Sequence, residues 1–260
     1  MSLRKMASKS ILQITLFRGF GEPGTFTWSP FVIKLETRLR FAGIPYKVGG
    51  GSPKTGPRGK IPYVELDTQE RLGDSTFIIK RFIEDGIVED LNAKLSPAQK
   101  ATDVAFRALV EDKVSFYGTR ERWCDNYYTM RSNALAPIPW PLQVLVGLLV
   151  HRNVTKALWG QGTGRFTDDE VATLREEVWE SIDALISEAR TSGAGRDGPF
   201  WALGGEEPTE VDATLFAFIA SALTCDASPT SGKVVRQYPA LLEYAGRIHE
   251  KYFPDYKGWD

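Results

Sequence analysis

The chain has 260 residues, enough for one large domain or two modest ones, and its 42% hydrophobic and 25% charged content is ordinary for a soluble globular protein. Lysine and arginine number 32 against 33 for aspartate and glutamate, so no charge excess argues for nucleic acid as a partner. Two cysteines, Cys124 and Cys225, stand in no paired motif and point to free thiols in a reducing compartment, while His151 and His249 are too few and too scattered for a zinc site or most histidine-centred catalysis.

Met1 to Ser10 is short and polar, without the apolar run of a secretory leader, so a cytoplasmic location is expected. Ile11 to Phe17 alternates and is rich in β-formers, which predicts a strand. A glycine-containing loop, Arg18 to Trp28, leads to Ser29 at an N-cap and Pro30 at the first helical position. Phe31, Leu35, Leu39 and Ala42 recur at helical spacing, and Gly43 ends that helix. Ile44 to Val48 is a second strand-like run. Gly49 to Gly59, with Lys54 and Arg58, is rich in glycine and proline, lacks the phosphate-loop pattern and reads as a mobile loop.

The stretch from Gly59 to Phe82 carries most of the information. Tyr63 to Leu66 and Glu70 to Leu72 form a predicted hairpin across Asp67-Thr68-Gln69, and Gly73-Asp74-Ser75 opens a helix with Phe77, Ile78, Phe82 and Ile83 on its apolar positions. The resulting β-α-β-loop-β-β-α order suits a small mixed sheet with helices on its faces. Pro62 at the mouth of a strand suits an edge, a bulge or a cis bond; a cis Ile61–Pro62 bond would leave the Ile61 backbone free to pair with an extended peptide. Amides at Asp74 and Ser75 would face outward from a helix N-terminus, a ready anion site. A groove holding a peptide's backbone and its terminal carboxylate is one reading; a strand start and an ordinary helix cap is the other.

Beyond the linker Gly86 to Lys94 strand signals almost vanish. Ser96-Pro97-Ala98-Gln99 is a capping box opening a long helix, with Val104, Leu109, Val114 and Tyr117 among its apolar positions, that reaches about Asp125. Met130 to Pro141 holds three prolines and reads as a connection. Leu142 to Leu158 reads as a buried helix, the alternative being a helix lying on a membrane surface, for which a basic face is lacking. Its apolar core, Leu142 to Val150, is too short to span a bilayer. Thr167…Glu170 is a second capping box, followed by a stripe of Val171, Leu174, Val178, Ile182 and Leu185 that breaks at Gly193 to Gly198. A third box, Thr209…Asp212, precedes Ala213 to Leu223, apolar nearly all round and so expected at the centre of its domain. Tyr238-Pro239 precedes a last helix ending near Tyr252, and no internal repeat is present.

Ser29-Pro30-Phe31, Ile61-Pro62, Asp74-Ser75 followed by Ile78, and the Thr209…Asp212 box together resemble the glutathione transferase superfamily. The longer runs Ser29 to Thr37, Asp74 to Ile79, Gly162-Thr163-Gly164-Arg165 and Pro208 to Ala213 look like its failed-axon-connections branch. The resemblance covers about Leu12 to Pro254. It implies a thioredoxin-like α/β domain that binds glutathione at residues 11–86 and an all-α C-terminal domain at residues 95–256. The branch usually shows cysteine where this chain has Val32, and the two cysteine places of thioredoxins hold Ser29 and Val32. With neither an attacking nor a resolving thiol, disulfide exchange at this position is excluded.

By the same resemblance, Ser29 would donate a hydrogen bond to the glutathione sulfur and stabilise its thiolate, Ser75 would bind the γ-glutamyl carboxylate with Asp74 at its ammonium, Ile61 beside Pro62 would pair with the cysteinyl backbone, and Lys60 would meet the glycyl carboxylate. Tyrosine-type chemistry is disfavoured, since the end of the first strand holds Phe17, Arg18 and Phe20. Tyr117, Trp123 and Tyr127, with Tyr128, are candidates for walling a second-substrate site or, alternatively, core and interface aromatics. The implied function is conjugation of the glutathione thiol to an electrophilic small molecule, with glutathione as co-substrate, no metal, and a homodimer as an open arrangement. The alternative is a non-catalytic protein of this fold that binds a protein partner or a membrane surface.

Overall fold

The computed structural model describes residues 13–19, 21–192 and 198–259. Strands β1 (Ile14–Phe17), β2 (Lys47–Gly49), β3 (Tyr63–Leu66) and β4 (Arg71–Gly73) form one sheet in the order β2-β1-β3-β4. β1 runs parallel to β2, with Leu16 opposite Val48, and antiparallel to β3, with Leu16 opposite Val64. The predicted hairpin closes β3 and β4, with Tyr63 opposite Gly73. Ile11 and Leu12, the expected start of the first strand, lie outside the described residues, as does most of the break at Gly193 to Gly198.

Helices α1 (Pro30–Phe41) and α2 (Ser75–Glu84) cover one core of the sheet: Leu35, Leu39, Ile78, Ile79 and Phe82 pack on Ile14, Leu16, Val64 and Leu66. This is a thioredoxin-like α/β arrangement. α1 is buried nearly all round because its other side lies along the helical half of the molecule, where Ile33 enters a second core and Phe31 meets Phe218 edge to face.

That second half is all-helical. Its long first helix is continuous to Asp125 but is not uniform: α3 (Pro97–Leu109) and α4 (Ser115–Arg120) are joined and followed by single π-helical stretches at Val110–Val114 and Glu121–Asp125. Residues Tyr127–Ala134, expected in part as a connection, form α5, which restarts after Asn126 leaves helical geometry at φ −116° and ψ 38°. Then follow α6 (Leu142–Gln161), α7 (Asp168–Ser192), α8 (Glu210–Thr224), α9 (Pro229–Val235) and α10 (Pro239–Tyr252). As expected, α8 is the central helix, buried from Glu210 to Leu223. Its entry is held by the Asp212 carboxylate, which accepts from the Ala202 and Thr209 amides, the Thr209 hydroxyl and the Tyr244 phenol.

One expectation is overturned. α6 is not a buried helix: only Gly147 and Leu158 are buried, and Trp140 just before it and Leu149 within it are 75% and 62% exposed. A nearly continuous apolar run has no period from which to tell a core helix from one that packs on one side only. Gly147 supplies the close approach, with Tyr127 and Arg131 of α5 against it, and the outward stripe Leu142, Leu145, Leu148 and Leu149 stays in solvent.

Candidate functional site

Three loops meet at the carboxyl end of β1. The chain leaves β1 through Arg18 and Gly19, where a side chain at 19, φ +84°, would lie 2.6 Å from Ile61 Cδ1. The Ile61–Pro62 bond is cis, as the sequence predicts, and the Ile61 backbone N–H and C=O make no hydrogen bond among the described residues. Asp74, between β4 and α2, has φ +78°, a conformation that strains a non-glycine residue and recurs at ligand clamps.

Asp74 and Ser75 divide the work at that helix start. The Asp74 carboxylate accepts from the Thr76 and Phe77 amides at 3.0 and 3.2 Å, so these two N–H groups are already capped. The Asp74 and Ser75 amides donate to nothing among the described residues, and the hydroxyl of Ser75, a buried residue, has no partner there either. Ser29 shows the same property at the start of α1. It sits at the N-cap in an extended conformation, φ −94° and ψ 111°, yet its side chain makes no capping bond. A serine at an N-cap normally bonds the N2 or N3 amide; here the hydroxyl is left uncommitted.

The loop from Gly49 to Lys60 folds across the same end of the sheet. Thr55 Oγ1 lies 2.7 Å from the Tyr63 phenol, whose ring stacks on Phe17 at 4.4 Å between centroids. Arg58 places its guanidinium 4.6 Å from the centre of the Phe77 ring, with its Cγ beside Gly73, so a cation stands next to the Asp74-Ser75 turn. Lys60 is exposed. Arg58 was legible in the sequence only as a basic residue in a glycine-rich loop.

Two polar groups fix the turn that carries Ser29. Arg122 Nη1 and Ser221 Oγ donate to the Trp28 carbonyl at 2.7 and 3.0 Å. On the other side, Arg18 reaches Glu36 at 3.5 Å and donates to the Tyr256 phenol, while Tyr256 and Tyr46 donate to Glu36 at 2.8 and 3.3 Å. Burial pushes the Glu36 carboxyl above its ordinary value despite Arg18, and burial together with Glu36 pushes the Tyr256 phenol up to about 12. This cluster ties the C-terminal tail to the loop after β1.

A cavity of about 1130 Å³ opens beside Trp28, and Ser29, Ile61, Pro62, Asp74 and Ser75 are not among the residues that line it. Its walls include Phe26, Thr27 and Trp28 of the loop, Thr129 and Asn133 of α5, and Trp259 of the tail. None of the sequence candidates for a second-substrate wall lines it. Tyr117 is a core residue, Trp123 packs behind Trp28 with Met130 and Cys225, and Tyr127 packs on α6 against His151. Ser29 stands at the start of α1, Ile61 and Pro62 just before β3, and Asp74 and Ser75 at the start of α2. Cys124 and Cys225 are unpaired.

A thioredoxin-like domain joined to an all-helical one, with these loops facing the junction, is the architecture of glutathione transferases. Residues 30–130 match a family model described as the glutathione S-transferase N-terminal domain, and residues 201–248 match one described as the glutathione S-transferase C-terminal domain. The chain belongs to the glutathione transferase superfamily. It is 27% identical over 237 residues to the isoprene-epoxide–glutathione S-transferase of Rhodococcus sp. (strain AD45), covering 86% of this chain and 92% of the relative. It is 26% identical over 254 residues to failed axon connections of Drosophila melanogaster, covering 89% of this chain but 55% of that protein, in keeping with the branch that the motifs resemble. A solved glutathione S-transferase of Methylobacterium radiotolerans, in complex with glutathione sulfonate, shares the fold with a TM-score of 0.54 at 15% identity, over 95% of this chain and 96% of that one.

Proposed function

We propose that this chain is a glutathione transferase-like enzyme of the cytoplasm that uses Ser29 to stabilise the glutathione thiolate for attack on an electrophilic carbon. The observation that carries the reading is the Ser29 hydroxyl, which stands at a helix N-cap without making the capping bond. The peptide would lie with its cysteinyl part along the Ile61 backbone and its γ-glutamyl carboxylate at the Ser75 hydroxyl and amide, with the Asp74 carboxylate near its ammonium. Lys60 or Arg58 would meet the second carboxylate. A hydroxyl donating to sulfur lowers the thiol pKa, and the helix N-terminus favours the anion further. The sulfur electron pair forms the new C–S bond while the bond to the leaving group breaks, its pair departing with that group or, for an epoxide, passing to the ring oxygen, which takes up a proton. The relative named for an epoxide substrate supports this class of electrophile. The test is glutathione titration followed by turnover of a general electrophile; glutathione binding without turnover, or no binding, would overturn the enzymatic reading.

A second reading has an observation of its own. The exposed stripe of α6, Leu142, Leu145, Leu148 and Leu149 between Trp140 and Trp159, is an apolar surface that suits a protein partner, a second copy of the chain or a membrane surface. Among the described residues no helix is long and apolar enough to cross a membrane. Sedimentation of the chain alone and with lipid vesicles separates these occupants; a monomer that ignores vesicles and works as an enzyme would remove the second reading.

A further inference from the structure

We infer that Arg122 is a positioning residue for Ser29, acting across the junction between the two domains; the inference rests on the role proposed for Ser29. Arg122 lies in the π-helical stretch after α4, and its donors are divided among three acceptors. Nη1 donates to the Trp28 carbonyl at 2.7 Å, Nε to Ser228 Oγ at 2.9 Å and Nη2 to Ser221 Oγ at 3.4 Å. Ser221 Oγ in turn donates to the same Trp28 carbonyl at 3.0 Å. Ser221 and Ser228 are buried, so the guanidinium is held in one pose by partners that do not exchange freely with water. Gly118, one turn earlier, leaves the space: a Cβ there would lie 3.3 Å from Arg122 Nη2.

The Trp28 carbonyl belongs to the peptide unit whose nitrogen is that of Ser29. In a trans peptide, C=O and N–H point in opposite directions. A unit gripped at its oxygen from the helical domain therefore aims the Ser29 N–H the other way, away from Arg122. That N–H donates to no group among the described residues. Two hydrogen bonds to the oxygen, one from a cation, also strengthen the N–H as a donor. Arg122 thus fixes the plane of the peptide that carries the Ser29 N–H and ends at the Ser29 Cα, from which the hydroxyl-bearing side chain departs, and lets a residue of the helical domain set the geometry at the sulfur. A rigid support of this kind is what a site needs when a displacement of about 1 Å can cost roughly 10²-fold in rate.

The experiment compares the full chain with Arg122→Met, Arg122→Lys and Ser29→Ala, reading the thiolate absorbance of bound glutathione against pH, the pH profile of kcat, and the glutathione Kd. Arg122→Met is expected to move the apparent thiol pKa upward and to lower kcat at neutral pH by roughly tenfold or more, with Kd little changed. Arg122→Lys keeps the charge but not the fork, and is expected to recover only part of the loss. The double variant Arg122→Met with Ser29→Ala should be no worse than the worse single one, since both act at one point. If Arg122→Met does not fold, Ser221→Ala removes the second donor to the same carbonyl, and a smaller shift in the same direction is expected. An unmoved pH profile in a folded variant that lacks either donor, with Ser29→Ala shifting it, overturns the inference alone. An unmoved profile in Ser29→Ala overturns the reading on which it rests.

Discussion

Ser29→Ala separates catalysis from folding because the structure denies this serine its usual structural role. A side-chain cap at a helix start contributes about 1 kcal/mol, up to ~2. Ser29 makes no such bond, and its carbonyl, which accepts from Val32 and Ile33, is unaffected by the change. The stability loss should therefore stay within about 0.5 kcal/mol, the range of substitutions that remove no specific interaction. The loss in turnover should be larger. A hydrogen bond to a charged group is worth about 1.5–3 kcal/mol, and each 1.36 kcal/mol is tenfold in rate, so kcat at neutral pH should fall by roughly 10- to 150-fold. The same energy expressed as thiolate stabilisation raises the pKa of bound glutathione by about 1–2 units, so the rate profile moves alkaline by that amount. Denaturant unfolding, glutathione titration and kcat against pH on both proteins make up the assay. A variant that loses 1 kcal/mol or more of stability while turnover per folded molecule is unchanged would refute the reasoning, because Ser29 would then be a cap.

Ser75→Ala should act on binding: loss of a charge-assisted contact to a carboxylate weakens glutathione affinity by about 1.5–3 kcal/mol, measured by calorimetry, with kcat at saturation little changed. Asp212→Ala should cost ~3 kcal/mol or more in urea unfolding, since it strands the Ala202 and Thr209 amides and the Tyr244 phenol in the core. Glu36 supplies a pH test whose sign follows from burial, the largest influence on it, which raises its carboxyl above 4.5 in the folded chain. A raised carboxyl contributes stability that is complete below the unfolded value and lost as pH rises through the folded one. Glu36→Gln should therefore gain on the parent as pH climbs from 4.5, and a stability gap independent of pH would count against it. Leu145→Ala, on the open stripe of α6, should change stability by no more than about 0.5 kcal/mol, whereas Leu215→Ala, at 0% exposure in α8, should cost ~2–5 kcal/mol; equal losses would contradict the outward placement of α6.

The sequence by itself determined the elements whose causes are local. The capping boxes at Ser96, Thr167 and Thr209 bond within four residues of themselves, and the first two form reciprocally as their spacing requires. The hairpin across Gln69, the helix start at Asp74 and the cis bond at Pro62 were legible for the same reason, and the residues Ser29, Ile61, Pro62, Asp74 and Ser75 could be named from motifs that each occupy two or three positions. Only the tertiary structure decided which of these groups are spare. Whether the Ser29 hydroxyl caps its own helix depends on the path of the turn before it, and that path is held by Arg122 and Ser221, 94 and 193 residues from Trp28 along the chain. The outward face of α6 was hidden for a related reason: a run apolar on all sides carries no record of which side its neighbours take. The cavity wall was likewise illegible, because Phe26, Asn133 and Trp259 come from three segments brought side by side by the docking of the tail on the loop after β1. Caps and turns are short-range hydrogen-bond problems that a few residues solve alone, whereas a free hydroxyl, an open face or a cavity is defined by what distant parts of the chain do not cover.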